Sequence, residues 1–412
     1  MELVTLYDQQ FFKISNVDHM RPFFMSMVSD ANHWLFIASN GGLTAGRKNA
    51  AYALFPYYTD DKITESVDTT GSKTIFQIQH EGKIVLWEPF SERFNESFTL
   101  TRNLYKSFYG NSIVFEEIHH DFELTFRYRW HTSDVYGFVR SAELINHAEQ
   151  DYAIQLLDGI QNIMPHGVSA DLQNATSNLV DAYKRNELVA EVGLGIYALS
   201  AIIVDKAEPS EALKANVVWS LGLKNPKYLV SSQQVAHFRK KMPLETELDV
   251  KGEKGAYFVV SENYLVKGET LQWHIVADVN YNQAQVIERI EALKSPLDLE
   301  AKVIADSQLG TQKLIALNAT ADGLQYTADV RKDARHFSNV LFNIMRGGIF
   351  DHNYQVDKAD FLNYLIHANP VMANKHKAVF AEWPEQLDYP SLQEKIALFH
   401  DDDLSRLAVE YL

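Results

Sequence analysis

The chain has 412 residues, of which 46% are hydrophobic, 12% aromatic and 22% charged, with a formal net charge of −16. That length and apolar content allow a large core and more than one domain, while the acidic balance excludes a nucleic-acid backbone or an anionic membrane as partner, since both would be repelled. No cysteine is present, so disulfides, thiolate metal sites and cysteine nucleophiles are excluded.

The first residues, MELVTLYDQQFFKIS, show no basic stretch followed by an apolar run, so no secretory signal is expected. The longest nearly apolar run, Gly193 to Val204, is too short to span a bilayer. A soluble, cytoplasmic protein is the expectation. Residues 41–48, GGLTAGRK, superficially suggest a phosphate loop, but the lysine stands one position out and Asn49 replaces the Ser or Thr that would hold magnesium. No nucleotide site and no other cofactor is expected. The stretch that follows, GRKNAAYALFPYYTDDKI (46–63), gathers charges and aromatic rings around Phe55-Pro56. It is too charged for a core strand and too aromatic for a plain loop. Flat rings beside charged hydrogen-bonding groups suit a polyhydroxylated ligand.

Lys73–His80 and Lys83–Leu86 read as strands joined at Glu81-Gly82. Trp87-Glu88-Pro89-Phe90 then reads either as an edge strand ended by proline or as an aromatic platform for a sugar. Ser97–Asn103 follows as a further strand. The clearest periodicity runs from Glu116 to His131. Its even positions, Ile118, His120, Phe122, Leu124, Phe126, Tyr128 and Trp130, are mainly apolar. Its odd positions, from Glu117 and His119 to Arg129 and His131, are polar, which predicts a sheet with one face buried and one wet, turning at His120-Asp121. His119 and His120 cannot share an ion, because adjacent strand residues point to opposite faces. His119, Asp121 and His131 read as a solvated polar row, and no metal is expected.

Further strands are expected at Val135–Ile145, Ala153–Asp158, Ala190–Val204, Ala215–Leu221, Ala256–Val260 and Gln272–Val279. Turn residues such as Glu208-Pro209-Ser210, Lys254-Gly255 and Lys267-Gly268 separate them. The fragment Gly193-Leu194-Gly195 is read as strand rather than as a dinucleotide fingerprint. One helix is expected near Asn174–Glu187. Many antiparallel strands with few helices imply a large sandwich over residues 1–280. From about 281 the period becomes helical: Val286, Ile287, Ile290 and Leu293 form one stripe, and Phe337, Val340, Leu341 and Ile344 another, stopped by Gly347-Gly348. Asp357 is expected to cap a helix that Asn369-Pro370 ends, and Ser391 with Glu394 to form a capping box. The amphipathic segment from Leu404 to Leu412 has no terminating Gly or Pro. It reads either as a terminal helix or as part of a helical domain that has begun and is not finished.

The order of a glycine-rich turn (SNGGLTAG), Gly-Arg-x-Asn, an aromatic-Pro with acids (FPYYTDD) and a hairpin reaching Trp-x-Pro (LWEPF) resembles the N-terminal domain of cellobiose and chitobiose phosphorylases, once grouped as glycosyltransferase family 36. RSAELINHAEQDYAIQLLDGI is similar to that domain's strand–Asn–strand passage, and YLVKGETLQWHIVADVNYNQAQVIERIEAL to its last strand and linker helix. The resemblance spans most of residues 30–295, with Gly-Arg in place of the usual Ser-Arg. It implies a mainly β fold: a galactose mutarotase-like antiparallel β-supersandwich (1–280), a helical linker (281–330) and the start of an (α/α) barrel (331–412). In such enzymes the barrel carries the general acid, and the sandwich supports it and helps build the sugar site or a homodimer. The DDKI run and the paired tyrosines depart from the pattern, which points to a divergent branch.

The expectation is therefore a carbohydrate-binding, supporting domain of a larger glycoside phosphorylase- or hydrolase-like enzyme, not catalytic alone. Its partners would be an oligosaccharide or small sugar and the C-terminal barrel of the same polypeptide. Arg47, Tyr57, Tyr58, Asp60, Asp61 and Lys62, with Trp87, are expected to form the carbohydrate-facing surface, rings against C–H groups and charges on vicinal hydroxyls. Alternatively, Arg47 pairs with Asp60 or Asp61 and the rings pack in the protein. Two other functions stay open: an aldose epimerase-like enzyme using His119, His166 and Glu117 as acid and base, and a module that only dimerises its parent.

Overall fold

The structure is a computed structural model that describes residues 2–58, 60–94, 96–175, 180–200, 214–347 and 355–411. The chain forms two compact units, Met1–Thr311 and Gln312–Leu412.

The first unit is built from antiparallel sheets. Among the described residues one sheet has eleven strands, running from Glu2–Leu6 at one edge to Asp249–Lys251 at the other. A second has five, ordered Lys227–Leu229, Gly255–Leu265, Tyr152–Ile163, Gly71–His80 and Lys83–Trp87. A third has four: Phe24–Met27, His33–Ala38, Leu43–Arg47 and Ala53–Phe55. Their inner faces share one core, in which Phe55, Phe76, Trp87, Phe126, Trp130 and Trp273 are buried. The mainly β, antiparallel architecture is as the sequence pattern predicts.

The alternation over residues 116–131 is present, but its phase reverses. Ile113–His119 and Leu124–Ser133 pair antiparallel, with Ile118 opposite Thr125, through a turn at 120–123. After the turn the even residues Leu124, Phe126, Tyr128 and Trp130 face the core; before it the odd residues Ile113 and Phe115 do. Residues opposite each other in a hairpin share a face, and with 118 opposite 125 the four-residue turn places the odd positions of the first strand on the same face as the even positions of the second. Glu117 and His119 therefore share the inward face, and both are buried. The outward face is not wet either. The segment Leu299–Thr311 of a longer helix lies on it, with Leu299 and Val303 packed among Val139, Trp219 and Val276. His131 Nδ1 is 2.6 Å from Ser307 Oγ, Ser133 donates to Asp306, and Asn111 donates to Thr311 at 2.7 Å.

The helix expected near 174–187 is not formed as such. Ala170–Ala175 is a short helix, residues 176–179 lie outside the described residues, and Lys184–Val189 is a strand paired with Leu194–Leu199. The end of the expected 190–204 strand and the Glu208-Pro209-Ser210 turn also lie outside the described residues. The helix Gln283–Lys294, within the first unit, begins with a full capping box, Asn282 with Gln285.

In the second unit, Val330–Met345 is capped by Asp329, and Gly347 follows in the left-handed region; Gly348 lies outside the described residues. Beyond it the chain repeats one motif twice. Gln355-Val356-Asp357 pairs antiparallel with Gln386-Leu387-Asp388, Val356 opposite Leu387. Each strand's final aspartate caps the helix after it, Asp357 for Lys358–Ala368 and Asp388 for Tyr389–Ala397. A second helix follows each, Pro370–Ala381 and Asp402–Tyr411. Equivalent positions fill one core: Val356 and Leu387, Phe361 and Leu392, Leu365 and Ile396. Ser391 is thus inside its helix, with Asp388 as the cap in place of the expected Ser391 box.

Candidate functional site

A cleft of about 1130 Å³ opens in the first unit. Two of the sequence motifs meet in it. Gly41, from the glycine-rich turn, has φ +95°, and a Cβ there would stand 3.0 Å from the Tyr128 hydroxyl. Phe90, from the Trp-x-Pro turn, has φ 63°, a conformation that strains a bulky residue and clusters at functional positions. Its backbone N–H donates to Glu117 at 2.7 Å, which holds it there. The Phe90 ring stands 5.3 Å from that of Tyr128, edge to face, and both line the cleft.

The charges at the cleft divide into committed and free. Lys73 lies between Asp68 and Glu88, 3.3 Å from each. Burial raises the Glu88 carboxyl, but the paired hydrogen bonds from Arg239 and the Lys73 charge outweigh it and hold Glu88 below its ordinary range. Arg102 donates to Glu117 and to the Ser91 carbonyl. These groups shape the wall. Arg93, on the same lining, is exposed, and the Asp68 side chain is 69% exposed. Arg93 and the second carboxylate oxygen of Asp68, whose Oδ1 faces Lys73, are available to a ligand's hydroxyls.

The residues nominated from the sequence do not gather into one surface. Trp87 is wholly buried, its indole N–H donating to Glu117 at 2.6 Å and its ring 5.1 Å from Phe76. An indole without solvent access cannot meet a sugar, so Trp87 is a core residue; the edge-strand alternative describes it. Arg47 donates to Asn32, to Asp134 and to both oxygens of buried Asp278. It is thus an internal tie, made to Asp134 and Asp278 rather than to Asp60 or Asp61. Tyr57 is exposed, its backbone N–H donating to Gln173. Burial pushes the half-buried Tyr58 phenol up, against a hydrogen bond with Asn162. Asp60, Asp61 and Lys62 open the helix Asp60–Glu65; Lys62 is exposed, and the Asp60 and Asp61 side chains lie outside the described residues.

The acid–base set proposed for an epimerase is also dispersed. His119 has no solvent exposure and sits against Phe98, Phe122 and Trp87, and burial lowers its pKa to about 4. Glu117 is saturated by Trp87, Phe90 and Arg102. His166 packs instead beside Tyr52. Among the described residues no three His, Asp or Glu side chains are grouped to hold a metal ion, and no helix is long and apolar enough to cross a membrane. The cleft residues themselves escaped sequence reasoning. Phe90 stood beside the nominated Trp87, and Tyr128 was hidden in an apolar row.

Residues 350–412 match the family model described as glycoside hydrolase family 149 insertion domain 1. No curated protein matches the chain. Among solved structures, the chain is similar to a bacterial glucoamylase complexed with acarbose, at 12% identity and a TM-score of 0.37, over 88% of this chain and 51% of that one. It is similar to a human-microbiome protein described as a kojibiose phosphorylase, at 9% identity and TM-score 0.29, over 64% and 27%. It is also similar to an Escherichia coli K12 protein described as an aldose 1-epimerase, at 8% identity and TM-score 0.33, over 63% and 100%. The chain thus spans about half the length of the glucoamylase.

Proposed function

We propose that this chain is the carbohydrate-binding, supporting part of a larger glycoside phosphorylase- or hydrolase-like enzyme, and that the sandwich cleft takes an oligosaccharide. The observation that carries this reading is the meeting of Gly41 and Phe90 over Tyr128, which joins two family-like motifs at one cleft. The insertion-domain match over residues 350–412 supports the enzyme class. Phe90 and Phe98 would offer ring faces to sugar C–H groups, and Arg93 and Asp68 charge-assisted hydrogen bonds to vicinal hydroxyls. The general acid would come from an (α/α) barrel of the same polypeptide, with the repeat at 355–411 as an accessory module on it.

The reading is tested by incubating the chain with oligosaccharides, with and without inorganic phosphate, and assaying reducing ends, sugar phosphates and mutarotation. No turnover is expected. Enzyme-dependent mutarotation would instead establish the epimerase alternative, and release of sugar or sugar phosphate would make the chain a complete catalyst.

A further inference from the structure

The four-stranded sheet is apolar on both faces. Met25, Met27, Leu35 and Ile37 point inward and are buried. On the outward face Trp34 and Phe36 occupy alternate positions of His33–Ala38, Phe24 comes from the edge strand beside it, and Tyr57 follows Ala53–Phe55. Their rings make one row. Phe24 and Phe36 are 5.6 Å apart with planes 20° from parallel, Phe36 and Trp34 6.4 Å apart at 29°, and Trp34 and Tyr57 5.5 Å apart, edge to face. The two ends are the most open, Phe24 at 47% exposure and Tyr57 at 40%. Gly46 makes room for the row: a Cβ there would stand 2.4 Å from the Trp34 ring. Trp34 is half-buried against Ala53, Met164, Val168 and Val180, so the apolar area held in water is chiefly that of Phe24, Phe36 and Tyr57, and an open apolar row of this kind invites a ligand.

The form of the row selects the ligand. It is a single file of rings, with hydrogen-bonding groups alongside. Exposed Ser26 stands opposite Phe36, and the Asn49 carbonyl accepts from the Trp34 indole. A protein partner would call for a broader patch. The net charge of −16 disfavours acidic polymers. A neutral sugar chain fits both features, because each pyranose has an apolar C–H face for a ring and hydroxyls along its edges for the flanks. We propose that Phe24, Phe36, Trp34 and Tyr57 form a track for a segment of a neutral, linear polysaccharide. The track shares no lining residue with the cleft, and would hold polymer while the cleft takes a shorter chain. This rests on the carbohydrate reading above.

Affinity electrophoresis of the 412-residue chain tests it, in native gels containing soluble starch, hydroxyethyl cellulose or mixed-linkage β-glucan. At least one polymer should retard the chain. Phe24→Ser and Tyr57→Ser should each weaken that retardation about tenfold, the loss of one stacking contact, with melting temperatures unchanged because both side chains are exposed. Arg93→Ala, in the cleft, should leave it intact. Retardation by no polymer, or equal retardation of the ring variants, overturns the track. Retardation abolished by Arg93→Ala but not by the ring variants also overturns it, while leaving the cleft reading standing. A dimer in sedimentation that Phe24→Ser dissociates would assign the face to a second copy of the chain and overturn the track as well.

Discussion

Arg140 and Asp158 form an ion pair without solvent access, one residue from each of the two largest sheets, with Arg140 Nη1 2.6 Å from Asp158 Oδ2. Asp158 also accepts from Thr74 and from the Trp273 indole, and Arg140 donates to Ser72 and stacks over Tyr128. Ser72, Thr74 and Tyr128 line the cleft, so the pair underlies its floor. A buried pair contributes little net stability when whole, but losing one partner strands the other charge, at a cost of about 3–5 kcal/mol. Arg140→Met should lower the unfolding free energy by that amount, read as a lower denaturation midpoint at unchanged slope. Adding Asp158→Asn should restore part of it, since the amide oxygen still accepts from Trp273. Additive losses would show that the pair is not the coupling element.

Trp87 gives the opposite outcome from a surface aromatic. Trp87→Ala empties a core site and removes one donor from the buried Glu117 carboxylate, so it should cost about 3–5 kcal/mol. Tyr57→Ala should leave the melting temperature nearly unchanged. Thermal melts of the two variants decide the matter, and a wild-type melt for Trp87→Ala would contradict the buried placement.

Burial fixes the pH response. It lowers the pKa of His119 to about 4 and that of His33 to about 3, and moves His131 well below the ordinary value. The unfolded chain takes up protons near pH 6.5 and the folded one does not. These histidines therefore subtract nothing above pH 6.5 and progressively destabilise below it, His119 levelling off near pH 4. Among the described residues neither ring nitrogen of His119 has a hydrogen-bond partner, and Asp121 Oδ2 stands 3.9 Å from Nδ1. His119→Leu should then be neutral or stabilising at pH 7, and should flatten the acid slope by about 1.4 kcal/mol per pH unit. Urea midpoints at pH 7, 5.5 and 4.5 measure this; an unchanged slope would mean His119 is not the proton acceptor.

A hydrogen-bonded file ties the helix that begins at Leu299 to the large sheet: Glu300, His274, Ser141, His131, Ser307. A carboxylate only accepts, so His274 Nε2 bears the proton, Ser141 donates to His274 Nδ1, His131 Nε2 donates to Ser141, and Ser307 donates to His131 Nδ1. Ser307→Ala leaves buried His131 Nδ1 unpaired, a cost of about 1–3 kcal/mol. Faster amide exchange across Leu124–Ser133 should accompany it. Ser307→Thr, which keeps the donor, should restore protection.

The sandwich was legible because period-two patterning over Leu124–Trp130 and the turn pairs Glu81-Gly82 and Lys267-Gly268 act locally. What the pattern could not carry was phase. A hairpin at 120–123 turned Glu117 and His119 inward, and no local signal marks that reversal. The partners of Arg47 were equally hidden, since Asp134 and Asp278 are distant in sequence. The twofold motif at 355–411 escaped because it is marked by little more than Gln-Val-Asp and Gln-Leu-Asp. Phe90 and Gly41 define the cleft through positive φ, which a sequence shows for glycine and conceals for phenylalanine.

We propose the cleft over Tyr128 as a sugar site, and calorimetric titration with short neutral oligosaccharides decides it. The wild-type chain should give saturable heat. Arg93→Ala and Asp68→Ala should each weaken binding about tenfold, one charge-assisted hydrogen bond apiece, with unchanged melting temperatures. Titrations without heat for every oligosaccharide tried, or equal affinity in both variants, would contradict the account.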